Sequence, residues 1–295
     1  MTFERVRPDP NPRPASFRLP ALACDCHAHV IGPAKLYPFV PDRTYTPPDA
    51  LLPDYLHVIR TLGFQRIVLV QPSMHGTDNT VMLQALRTAH EQGIAGFAIA
   101  GIAENQSEAE LSGLHRQGVR GVRLNMIYRG GGAANVNAAV DIAARIRTFG
   151  WCLELLVDVS RLGDDLLGFD RLGIPLVIDH LGHMPARKGP ADPGFRALLE
   201  LVRRGNTWVK LSGAYRLADG PEFPAAEISA LARALVETAP TRMLWGTDWP
   251  HTLCSVPMPN DGALLDLLAE WVPDERLRSM ILADNPETLY GFTRG

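Results

Sequence analysis

Asp25-Cys26-His27-Ala28-His29 closes an apolar run that begins at Ala21, and the same kind of ending recurs down the chain. Gln71-Pro72-Ser73, Arg123-Leu124-Asn125, Asp179-His180, Leu211-Ser212-Gly213 and Gly246-Thr247-Asp248-Trp249-Pro250-His251 each follow a short apolar segment, at intervals of a few tens of residues. The runs are continuously apolar rather than alternating, as strands of a parallel sheet are when helices cover it. One closed parallel barrel would bring all six endings to the same mouth, where that architecture holds its chemistry. The first and last of them, far apart in the chain, then share a site.

Working outward, the apolar runs predict strands at Ala21 to Ala28, Ile67 to Val70, Ala95 to Ile102, Val119 to Leu124, Trp151 to Val157, Pro175 to Ile178, Thr207 to Leu211 and Arg242 to Trp245. Between them, apolar spacing of three and four residues predicts helices. These cover Asp49 to Leu62, Asn79 to Glu91, Ser107 to Gln117, Val136 to Thr148, Leu162 to Phe169, Pro193 to Arg203, Pro224 to Thr238 and Asp261 to Glu270. A last helix, Asp274 to Tyr290, is expected to seal one end. The expectation is therefore an α/β (β/α)8 TIM barrel, a single domain over residues 21–295 preceded by an extended N-terminal arm at 1–20. An open doubly wound sheet would want a glycine-rich phosphate turn after the first strand. None is present, and Gly130-Gly131-Gly132 lacks the spacing and lysine of a P-loop. The Pro- and Gly-punctuated stretch from Gly32-Pro33 to Pro47-Pro48 reads as an active-site loop.

Composition excludes several function classes. A net charge of -3 gives no electrostatic reason to expect nucleic acid, and no apolar stretch is long enough to span a bilayer. Met1 to Pro20 lacks the apolar core of a secretory signal. Cys24, Cys26, Cys152 and Cys254 form no C-x-x-C pair, so reduced thiols in a cytoplasm are expected. Lys35, Lys188 and Lys210 are the only lysines among 29 basic residues. The abundant arginines are chiefly compositional, although a guanidinium fork suits carboxylates.

His27 and His29 stand two apart on a strand, so both rings project to one face, close enough to grip one ion or one substrate oxygen. Asp248, ending the last run, is a natural general base for water, a metal ligand, or both. His180 is expected to supply a third imidazole, and His183 lies within reach of the mouth, while Asp179 is expected to point away as a structural residue. A lone His-x-His is equally compatible with two packed histidines. Its place at a strand end carries the functional reading.

Together, Asp25 to His29 on a first strand, His180 on a sixth, Lys210-Leu211-Ser212-Gly213 on a seventh and Gly246 to His251 on an eighth resemble the amidohydrolase superfamily. The resemblance is to its amidohydrolase family 2 lactonase branch, most of all to the 2-pyrone-4,6-dicarboxylate lactonases, and runs over nearly the whole chain after the arm. It implies hydrolysis of a small anionic lactone, with Asp248, His27, His29 and His180 at the hydrolytic centre. It further implies that Arg123, Arg129, Arg216, Tyr45, Ser73 and His251 bind the substrate. Members of the branch work either without a metal or with one divalent ion, commonly zinc, so His27, His29, His180 and Asp248 are also the candidate metal ligands. A two-metal centre would need a Lys or Glu after the fourth strand and a His after the fifth, where this chain has Arg123-Leu124-Asn125 and Glu154-Leu155-Leu156. The alternative reading is a zinc-dependent aromatic-acid decarboxylase of the same superfamily. Oligomeric state is left open.

Overall fold

The computed structural model describes residues 7–128 and 136–293. Its sheet runs in strict sequence order, all neighbours parallel. The strands are β1 (Cys24–Ala28), β2 (Arg66–Val70), β3 (Ala95–Ala100), β4 (Val119–Asn125), β5 (Cys152–Leu156), β6 (Leu176–Ile178), β7 (Thr207–Lys210) and β8 (Met243–Leu244). Backbone bonds from Cys26 N to Trp245 O, Asp248 N to His27 O and His29 N to Trp249 O join β1 to the chain leaving β8 and complete the ring. Only Gly246 permits that seam. A Cβ there would lie 2.7 Å from both the backbone nitrogen and the Cβ of His27.

Side chains alternate across the sheet as the pleat requires. Val68, Val70, Cys152, Val177, Trp208 and Leu244 fill the barrel interior with Cys24 and Cys26, while Ile67, Leu69, Leu153, Leu176, Ile178 and Val209 face the helices. Tyr290 and Phe292 join the interior cluster, so the C-terminal segment does plug one end. Asp25, on the outward face, accepts bonds from Tyr55 OH and from the Thr247 amide and hydroxyl, stitching the first strand, the first helix and the exit of β8. Burial pushes its carboxyl up to about 6, against those four donors including the His27 amide.

The helices follow the apolar spacing: α1 (Leu52–Leu62), α2 (Thr80–Glu91), α3 (Glu108–Arg116), α4 (Val136–Ile146), α5 (Val159–Leu162), α6 (Pro193–Arg203), α7 (Ala225–Thr238) and α8 (Asp261–Trp271). Two differ from expectation. The helix expected at Leu162 to Phe169 is a single α turn, α5, followed by 3-10 turns over Gly163–Leu172, because Gly163 takes a positive φ of 55° at the break. The last helix is divided into α9 (Glu275–Ser279) and α10 (Asn285–Tyr290) by a π turn at Met280–Asp284. Pro286 lacks the amide hydrogen that a regular turn would use there. Residues 7–20 form no regular element and dock on the start of α8, where Arg13 pairs with Asp266 at 2.6 Å and Asn260 reaches Asp9 at 2.8 Å. Among the described residues, no helix is long and apolar enough to cross a membrane. All four cysteines are free.

Candidate active site

Three imidazoles and one carboxylate converge at the C-terminal ends of β1, β6 and β8. His27 Nε2 lies 3.3 Å from His29 Nε2, and Asp248 Oδ1 lies 3.7 Å from both His27 Nε2 and His180 Nε2. All four side chains are buried. Each ring is oriented from behind: His29 through Nδ1 on Val70 O at 2.8 Å, His180 through Nδ1 on Ser212 Oγ at 2.9 Å, and His27 through Nδ1 on Lys210 Nζ at 2.9 Å. Burial pushes all three rings down, His29 to about 4 and His27 and His180 well below the usual imidazole range, so they are neutral.

Asp248 is held by its other oxygen. Arg216 Nε donates to Oδ2 at 2.5 Å and Tyr215 OH at 2.6 Å, which leaves Oδ1 buried and without a hydrogen-bond partner among the described residues. Burial works to raise its pKa, but the Arg216 charge together with His180 and His27 wins and holds the carboxyl well below the usual range. An ionised, desolvated oxygen with a vacant lone pair is what a proton acceptor or a metal ligand requires. The residue sits in the left-handed region with φ 63°, as does His180 at 52°. Such strain in non-glycine residues concentrates at functional sites, and here it turns both side chains into the mouth.

The donor set suits one divalent ion. Tetrahedral coordination with bonds of about 2.0–2.1 Å places ligand atoms roughly 3.3–3.4 Å apart. The spacings of His27, His180 and Asp248 fall near that, and the unpartnered Oδ1 supplies the anionic ligand, whereas His29 is close to His27 alone. A second cluster, His27 Nδ1 with Glu154 and Asp179, lies beneath the first. There the Lys210 ammonium already provides the cation, 2.5 Å from Glu154 Oε2 and 3.4 Å from Asp179 Oδ1.

A family model for amidohydrolases matches residues 24–292. The chain belongs to the amidohydrolase family. It is 37% identical over 94% of its length, and 93% of the relative's, to a 4-sulfomuconolactone hydrolase of Rhizobium radiobacter. To a 2-pyrone-4,6-dicarboxylate hydrolase of Comamonas testosteroni it is 36% identical, over 95% and 93%. A crystal structure from Acinetobacter baumannii with citric acid bound superposes with a TM-score of 0.81 at 28% identity, covering 92% of this chain and all of the other.

In this amidohydrolase the expected substrate contacts fall into three groups. Arg123, Tyr45 and Ser73 lie around the mouth. Arg123 Nε is 3.4 Å from Asp179 Oδ2, Tyr45 bonds Thr252 within electrostatic reach of Arg216 and Arg123, and Ser73 Oγ accepts from Asn125 Nδ2 at 2.7 Å. Arg216 and His251 adjoin Asp248 and Tyr215. Arg216 Nε is spent on Asp248, and His251 contacts Asp261 at 3.0 Å and Tyr215 OH at 3.3 Å through its two ring nitrogens. Arg129 lies outside the described residues. His183 packs its ring 6.1 Å from that of His180, with Nε2 shielded and unpartnered among the described residues.

Asp179 does not point away. β6 ends at Ile178, and alternation from inward Val177 turns Asp179 inward, 3.3 Å from His27 Nδ1. His180 then reaches the same cavity because its left-handed backbone interrupts the alternation. Sequence reasoning quoted Lys210 and Glu154 without giving either a role at the site, and passed over Tyr215. For Lys210 and Glu154 the available signal was position, since Trp208 and Cys152 two residues earlier face the interior. Tyr215 sits on a 3-10 turn that starts after Gly213, where no periodicity applies.

Gly213 supplies a test of the packing. It has φ +58°, and a Cβ would meet His180 Nδ1 at 2.7 Å and Asp248 Oδ2 at 3.0 Å. Gly213→Ala is expected to lower kcat/KM by roughly ten- to a hundredfold, the scale of an ångström's misplacement in a catalytic group. Steady-state kinetics alongside a melting curve checks it, and unchanged turnover would show that the ring and the carboxylate are not positioned as described.

Proposed function

We propose that the protein is a lactonase that opens a small carboxylated lactone by attack of water at the barrel mouth. The observation that carries this is Asp248 Oδ1, ionised, buried and unpartnered between the Nε2 atoms of His27 and His180. The named relatives act on lactones, and the Acinetobacter structure accommodates a tricarboxylate, which supports an anionic substrate.

Asp248 Oδ1 accepts a proton from water as its oxygen attacks the lactone carbonyl. His27 and His180 face the carbonyl oxygen and stabilise the charge that develops on it, with His29 orienting the His27 ring, the kind of preorganised polarity that dominates acyl transfer. The ring C–O bond then breaks and the proton passes from Asp248 to the departing oxygen. Because Arg216 keeps Asp248 a weak base, polarisation of the carbonyl must provide most of the driving force. His27, His29, His180 and Asp248 would hold a divalent ion, zinc being the candidate, and that ion when bound supplies Lewis-acid polarisation of the same carbonyl. Arg123 grips a substrate carboxylate from the β4 side, with Tyr45 and Ser73 beside it.

Hydrolysis of a lactone creates one carboxylate and releases one acid equivalent per turnover at neutral pH. Titration of acid release from 2-pyrone-4,6-dicarboxylate, 4-sulfomuconolactone and their uncarboxylated parent lactones is expected to show turnover of the anionic substrates only, without CO2. Release of CO2 from an aromatic acid in place of ring opening would establish the decarboxylase instead.

A further inference from the structure

Lys210 ends β7 at the floor of the mouth, fully buried, and the reaction above leaves it without a task. Its ammonium donates to Glu154 Oε2 at 2.5 Å and to His27 Nδ1 at 2.9 Å, and forms an ion pair with Asp179 Oδ1 at 3.4 Å. The Glu154 and Asp179 carboxylates lie beside it and balance its charge, so it stands there as an ammonium. An ammonium only donates, so the Nδ1 that it touches must accept. A neutral imidazole has a single N–H. The hydrogen of His27 therefore lies on Nε2.

The neighbouring ring agrees. His29 donates Nδ1–H to Val70 O at 2.8 Å, which makes its Nε2 an acceptor, 3.3 Å from His27 Nε2. From Lys210 through His27 and His29 to Val70, each link joins one donor to one acceptor.

We infer that Lys210 is a positioning residue that fixes the tautomer of His27, so that His27 presents an N–H to the cavity and resists serving as a metal ligand. Ligation through Nε2 requires a lone pair there and moves the hydrogen to Nδ1. Asp179 Oδ1 at 3.3 Å and Glu154 Oε1 at 3.6 Å would accept it, yet Lys210 would then face Nδ1–H as donor against donor. Lys210 thus opposes the ion that the ligand spacing otherwise suits. Its removal leaves both carboxylates free to support the ligating tautomer, in the manner of the carboxylate partners that orient metal-bound histidines. In the reaction the Nε2–H of His27 exchanges His29 Nε2 for the lactone carbonyl as its acceptor. That use rests on the lactonase reading, whereas the position of the hydrogen does not.

The test is made on metal-free protein with 15N-labelled histidine. Long-range proton–nitrogen correlation, with His27 assigned from its loss in His27→Gln, is expected to show N–H character at Nε2 and acceptor character at Nδ1. The pattern should reverse in Lys210→Met. Equilibrium dialysis at one fixed pH and free zinc concentration should give at least tenfold tighter binding to Lys210→Met than to the unsubstituted protein. An N–H on Nδ1 of His27 in the unsubstituted protein, or equal or weaker zinc binding by Lys210→Met, would overturn the inference. Should that variant fail to fold, the spectrum of the unsubstituted protein decides alone. None of these readouts needs turnover, so an inactive preparation does not count against it.

Discussion

Asp248→Asn is expected to lower kcat by about a thousandfold while leaving KM within a few-fold, since a positioned general base contributes roughly 10²–10⁴ to rate. The reason is in how the carboxylate is gripped. Tyr215 and Arg216 both donate to Oδ2, so an asparagine keeps its carbonyl oxygen on that side and turns its amide to where Oδ1 stood. The amide hydrogens then point between His27 and His180 and cannot take a proton from water. Substrate contacts at Arg123 and Tyr45 are untouched, hence the small change in KM. A separate cost falls on stability, because Arg216 is left buried opposite a neutral group. Removing one partner of a buried pair costs about 3–5 kcal/mol, and a melting curve should show it. A variant retaining more than a tenth of the original kcat would exclude Asp248 as the base.

How far the site could be read in advance follows from the same local geometry. The strand order and most helices were legible because parallel strands buried on both faces leave unbroken apolar runs, and amphipathic helices leave their own period between them. His27, His29 and Asp248 were legible for a related reason: each stands at the end of such a run. The floor of the site was not. Lys210, Glu154 and Asp179 look, in isolation, like surface charges of an ordinary chain, and only their inward register, shared with Trp208, Cys152 and Val177, brings them beneath His27. Asp179 was misjudged because alternation was carried through to His180, when the strand stops at Ile178 and the backbone turns left-handed. Arg216 was expected as a substrate contact from the family resemblance, and its bond to Asp248 was not foreseen. The partner that engages its Nε, Asp248, comes from a distant part of the chain and has no local signature.

Arg123→Met is expected to reduce kcat/KM by roughly a hundred- to a thousandfold, most of it through KM. Losing one partner of a buried, hydrogen-bonded charge pair costs about 2–5 kcal/mol, and each 1.36 kcal/mol is about tenfold. Arg123 is held by Nε, 3.4 Å from Asp179 and 4.0 Å from Glu154, so its terminal nitrogens are the edge offered to a carboxylate. Because that grip is equally present before and during the chemical step, its loss should appear as weaker binding with kcat largely preserved. Arg123→Lys should recover little, since a compact ammonium reproduces neither the fork nor the anchoring Nε. The substitution also unbalances the floor: with Arg123 gone, Lys210 alone faces Glu154 and Asp179. Glu154 is already pushed up to about 7, by burial first and then by Asp179, and losing the arginine charge raises it further. A group whose folded pKa lies above its unfolded value stabilises the fold most when protonated. Arg123→Met should therefore lose stability as pH rises through 7 and beyond, more steeply than the unsubstituted protein. Melting curves across that window, set beside KM for a dicarboxylated and a monocarboxylated lactone, separate the two effects. If KM is unchanged for both substrates, the grip on the carboxylate lies elsewhere in the mouth.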